Sequence, residues 1–165
     1  MAIDKIQSES INLADNFAFT GTVTGAGGVN TPAFHAKTNT GLSTTNNTET
    51  KLVFGQEDFD TASAYDTSNG RFTVPSGQGG KYFLYSRVRV NSATDSEIYD
   101  LKFFKNGSEI LMHAANQYRY TSAHVSGILE LSASDYIEVY VTLSGGLSLR
   151  DDARENHFGG YKIIE

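Results

Sequence analysis

Four histidines, a run of carboxylates and one dense charged stretch are the groups in this 165-residue chain best equipped for chemistry. The histidines are His35, His113, His124 and His157. None stands at a metal-binding spacing of the H-x-x-x-H or H-x-H kind, although His113 and His124 lie on segments able to meet across strands. Gln56-Glu57-Asp58-Phe59-Asp60 offers the hard oxygen ligands that calcium takes, but without the glycine-bearing loop of an EF-hand. Arg150 to His157, RDDARENH, has the composition of a solvated loop with local ion pairs, or of a grip for a glycan or receptor. Glycoside hydrolysis needs two carboxylates facing a cleft, and no pair singles itself out. No G-x-S-x-G elbow occurs among the many serines. Gly77 to Gly80 lies between strands, without a P-loop ending or a following helix. The chain reads as non-enzymatic, with no cofactor and no metal site.

Composition narrows the partners. The net charge is -6 and the 13 basic residues are scattered, so no stripe exists to neutralise a phosphate backbone and nucleic acid is not expected. The chain has 0 cysteines, which removes disulfides, thiolate zinc sites and cysteine nucleophiles together. No apolar run is long enough for a membrane span, so membrane insertion is not expected. Residues 1 to 18 lack a basic segment followed by a long apolar one, so no secretory signal is expected.

The elements divide the chain in two. Residues 1–28 read as an N-terminal arm whose apolar side chains are Ile3, Ile6, Ile11, Leu13, Phe17, Phe19 and Val23. Phe17 to Val23 alternates with strand periodicity. Gly25-Ala26-Gly27-Gly28 then reads as a hinge. Such an arm is too small to bury its own apolar side. It is either an edge strand of its own domain or, as the hinge favours, an attachment arm docked on another chain.

Residues 29–165 form a series of short strands with turn signals. Asn69-Gly70 and Asn106-Gly107 mark tight hairpins, and Pro75 ends the short strand Arg71 to Val74. In Lys81 to Asn91 one face carries Tyr82, Leu84, Ser86, Val88 and Val90, and the other carries Phe83, Tyr85, Arg87 and Arg89. Tyr136 to Leu143 sets Ile137, Val139, Val141 and Leu143 against Tyr136, Glu138, Tyr140 and Thr142. Short alternating strands joined by both hairpins and long loops predict an all-β sandwich, most naturally a jelly roll. Phe83, Tyr85 and Tyr140 lie on faces that should be polar, and clustered aromatics there would form a patch that a monomer rarely leaves open.

Five segments, in order, resemble one family. YDTSNGRFTVPSGQGGKYFLY (65–85), LKFFKNG (101–107), SGILEL (126–131), SDYIEVYV (134–141) and FGGYKI (158–163) are similar to the signature of the C1q-type globular head, in the tumour-necrosis-factor-like superfamily. Ser134 stands where that signature usually has Gly. The resemblance implies a ten-stranded jelly roll and a homotrimer with an aromatic-lined axis, for which Phe83, Tyr85 and Tyr140 are the candidates. No Gly-X-Y collagen run precedes the domain. The arm instead resembles the short tags and Thr-Gly connectors of bacteriophage, especially cyanophage, fibre and virion proteins. The expected function is a non-catalytic virion structural protein, located in the particle and anchored to other virion proteins through its arm. The alternative is a tail-fibre head that binds a host receptor or glycan.

Overall fold

The computed structural model describes residues 30–38, 40–91, 97–117, 122–144 and 148–163. The arm and its seven apolar residues, Ile3, Ile6, Ile11, Leu13, Phe17, Phe19 and Val23, lie outside the described residues.

The described residues form two antiparallel sheets stacked as a sandwich. The first sheet contains β1 (Ala33–Lys37), β3 (Gln56–Asp60), β6 (Gly80–Asn91), β9 (Ser122–Leu131) and β12 (His157–Lys162). Their order is β3-β1-β12-β6-β9, and β11 (Ser148–Leu149) continues beyond β12 along β6. The second sheet contains β2 (Thr50–Leu52), β4 (Tyr65–Asp66), β5 (Arg71–Thr73), β7 (Glu97–Lys105), β8 (Ser108–Gln117) and β10 (Tyr136–Leu143). Its order is β4-β5-β10-β7-β8, with β2 also paired to β10. Twelve strands thus appear among the described residues, the short β4 and β11 being pieces that turn-and-period reasoning does not separate.

Period-two alternation builds the core. From β6, Tyr82, Leu84, Val88 and Val90 point inward, facing Leu101, Phe103, Ile137, Val139 and Val141 of the second sheet. Phe158 of β12 packs at the centre, its ring 5.0 Å from Phe34, 5.7 Å from Phe103 and 5.9 Å from Tyr65.

Two turns are chemically specified. Asp66 accepts the backbone N–H of Ser68 at 2.9 Å, and Gly70 follows with a φ of 68°. A side chain at Gly70 would place Cβ 2.5 Å from the Leu52 carbonyl, so the Asn-Gly signal reflects both conformation and space. Asn106 and Gly107 turn β7 into β8 with φ of 52° and 80°. The Asn106 amide also donates to Asp135 at 2.7 Å and accepts Tyr136 N–H at 2.9 Å, which ties this turn to the one before β10. Hydrogen bonds from Lys105, Asn106 and the Ser132 backbone hold the Asp135 carboxyl at about 2.

Candidate functional site: the outward face of the first sheet

Residues in antiparallel register share a face, so pairing across five strands defines what the first sheet shows to the outside. One row runs Phe59, His35, Gly159, Tyr85, Ser126. The next runs Ala33, Tyr161, Phe83, Ile128. A third runs Lys37, His157, Arg87, His124.

The first two rows are largely apolar. Ile128 is 62% exposed, Phe59 50% and Tyr161 39%. Phe83 lies 5.6 Å from the Tyr161 ring and 6.0 Å from Tyr85, and His35 stacks 6.3 Å from Tyr85. Two adjacent glycines on β12 make this possible. At Gly159, a Cβ would stand 2.6 Å from the Tyr85 hydroxyl, so its absence lets the tyrosine lie across the strand. At Gly160, on the core side, a Cβ would stand 2.3 Å from Leu84. Burial, and then the neighbouring Tyr161, push the Tyr85 hydroxyl above the usual phenol range.

The third row is basic. Between His35 and Ala36 the register with β3 shifts, and Asp58 occupies the bulge. Its carboxylate meets His35 Nδ1 at 2.9 Å and forms an ion pair with Lys37. Hydrogen bonds from Lys37 and His35 hold Asp58 below the usual carboxylate range. His157 packs 5.5 Å from the His35 ring and 5.9 Å from Tyr85. Burial lowers it to about 4, with the neighbouring His35 and Arg87 adding to the effect. Arg87 donates to the Ser122 hydroxyl at 3.1 Å.

Phe83 and Tyr85 therefore come together, but Tyr140 does not join them. It stands on β10, on the outward side of the other sheet, 4.4 Å from the Phe104 ring. That opposite face carries ion pairs beside exposed Met112. Buried Glu138 takes Lys51 at 2.6 Å and Arg71 at 2.9 Å, and Arg71 stacks over Tyr136 at 3.9 Å. The reason is topological: β10 and β6 share an alternation but belong to different sheets. Phe59, Tyr161 and Ile128, absent from the sequence-based set, were findable only as alternation partners once the strand order is known.

The remaining candidates resolve locally. Gln56–Asp60 is the edge strand β3, and no cluster of three or more metal-ligating side chains occurs among the described residues. Arg154 donates to Asp152 at 2.7 and 2.9 Å, and Glu155 pairs with Arg89. Asn156 is buried, donating to the Arg150 carbonyl at 2.5 Å and accepting Arg89 N–H at 2.9 Å, so this loop is pinned to β6. Arg89, Asn91, Arg150 and Asp151 line an open polar hollow. His113 and His124 do meet, with rings 5.5 Å apart.

A family model described as the C1q domain matches residues 33–163. Among solved structures, murine APRIL at pH 8.0 is similar over 79% of this chain and 98% of its own, with 17% identity and a TM-score of 0.61. The globular domain of zebrafish complement 1qA protein is similar over 81% and 98%, with 18% identity and a TM-score of 0.54. Eiger TNF from S. frugiperda is similar over 81% and 92%, with 15% identity and a TM-score of 0.58. These likenesses show the jelly-roll fold. A comparison with curated proteins gives no match.

Proposed function

The chain belongs to the C1q domain family, and on that footing we propose that it is a non-catalytic structural protein of a phage particle, a homotrimeric head carried on an attachment arm. The observation that carries the self-association is the outward face of the first sheet. Phe59, Phe83, Tyr85, Ile128 and Tyr161 form one surface there, and a monomer rarely leaves such a patch open. The opposite face mixes the paired charges around Glu138 with exposed Met112. A ring of three copies closes through one repeated contact. Three arms on one head then give avidity without a strong single contact, by strand pairing or apolar docking on a host virion protein. The arm's tag-like composition supports the virion context.

Sedimentation of the full chain tests the head: the expected mass is three times the 18.0 kDa of one chain. Deleting residues 2–24 should leave that trimer soluble and abolish incorporation into particles. A deletion that dissociates the trimer would overturn this division of labour. The second reading, a receptor- or glycan-binding head, is favoured by the hollow between Arg89 and Arg150. Binding of the arm-deleted head to a glycan array or to host cells would promote it.

A further inference from the structure

All four histidines of this chain stand in ring-to-ring pairs, His35 with His157 and His113 with His124, each at 5.5 Å. One member of each pair, His157 and His124, lies in one band across the first sheet. Lys37, His157, Arg87 and His124 are register neighbours along it, with His35 beside it and His113 reaching its end from β8. The groups around His157 are His35 and Lys37 on β1, Asp58 on β3, Tyr85 and Arg87 on β6, His124 beyond Arg87 on β9, and Arg154 from the preceding loop. Asp58 is the acid among them and already takes both Lys37 and His35. Arg154 is held by Asp152.

We propose that this histidine band makes the assembly acid-labile: protonation of His157 drives apart the copies that the face holds together at neutral pH. The inference rests on the self-association reading above. Neutral imidazoles pack against Tyr85 and each other as flat, weakly polar rings. Charged ones must be solvated, and they add to Lys37 and Arg87 with one carboxylate between them. Closed symmetry brings three such bands to one interface, so every added charge is met threefold in a poorly hydrated space. Histidine is the side chain whose charge appears on the acid side of neutrality.

The sign follows from proton counting. Covering His157 with another copy removes more water, which disfavours its charged form beyond what burial does in the single chain. The assembly therefore binds fewer protons than the separated copies, and association weakens as pH falls. Release is therefore expected as pH falls through about 4, where His157 charges in the single chain.

Sedimentation velocity of the full chain at constant ionic strength, from about pH 8 down past the value of about 4 where His157 charges to about pH 3.5, tests this. The expected result is a trimer at the high end and an 18.0 kDa species at the low end. The strand circular-dichroism signal should be intact throughout, and the trimer should return on neutralisation. The His35→Gln, His157→Gln double variant should stay assembled at the low end. A native trimer that survives acid overturns the inference and leaves the self-association reading standing. Variants that release at the native pH, or release accompanied by loss of the strand signal, also overturn it. A monomer at high pH sinks the self-association reading itself and takes this inference with it.

Discussion

Tyr85 lies across Gly159, where a Cβ would stand 2.6 Å from the tyrosine hydroxyl and 3.0 Å from the Phe34 carbonyl. Its neighbour Gly160 does the same service inward, under Leu84. The pair lets one strand pass between an aromatic outer layer and the core.

The two glycines should fail differently. Gly159→Ala displaces a tyrosine ring end, which can swing, so the fold should persist while self-association weakens. Gly160→Ala meets Leu84 at 2.3 Å and the Phe83 carbonyl at 2.7 Å, where backbone must shift. It should cost about 1–3 kcal/mol. Urea denaturation alongside sedimentation separates the two, and equal effects of both changes would refute the assignment of faces.

Charge placed on the two outward faces should also separate them. Tyr85→Glu or Ile128→Glu should convert the proposed trimer to monomers with unchanged circular dichroism. Tyr140→Glu, on the opposite face beside Phe104 and Glu138, should leave the mass unchanged. Light scattering reads both, and a monomeric Tyr140 variant would move the interface to the second sheet.

Ser134 occupies a left-handed conformation with φ of 72°. The family resemblance leads one to expect Gly there, and the backbone explains why. Ser134→Gly relieves the steric cost of that conformation, offset partly by chain entropy, and should stabilise by about 0.5–1 kcal/mol. A lower thermal midpoint would contradict this.

Glu138 links the second sheet's surface to acid stability. Burial alone raises its carboxyl, but hydrogen bonds and charge from Lys51 and Arg71 outweigh it and hold it below the usual range. Its stabilisation is thus present above the unfolded value of about 4.5 and is lost as pH falls through the lower folded one. Glu138→Gln should cost about 1–3 kcal/mol near neutrality. The deficit should shrink in acid, read as urea midpoints at several pH values.

Phe158→Ala should cost about 3–5 kcal/mol in the same assay, because four core rings lose their common neighbour. A loss near that of an exposed residue would displace Phe158 from the centre of the core.

Most of the fold was legible because local rules set it. Asn69-Gly70 and Asn106-Gly107 fixed two turns, and alternation on β6 and β10 divided inward from outward side chains correctly. The site was only half legible. Phe83 and Tyr85 share a strand, so their alternation alone puts them on one face. Tyr140 carries the same signal from a different sheet, and no local rule reports which sheet a strand joins. Tyr161 and Ile128 meet Phe83 through pairings 78 and 45 residues distant in sequence. Such partners become visible only when the sandwich closes. The histidine pairs were hidden for the same reason, since His35 and His157 come from opposite ends of the domain.

The edge strand Gln56–Asp60 has a bearing on growth. Among the described residues it pairs on one side alone, with β1, and it carries Glu57, Asp58 and Asp60 together with a bulge. An unprotected edge of this kind would recruit strand after strand from other copies. Three carboxylates and an interrupted ladder make such recruitment costly. Crowded copies emerging from synthesis are thereby steered away from open ribbons.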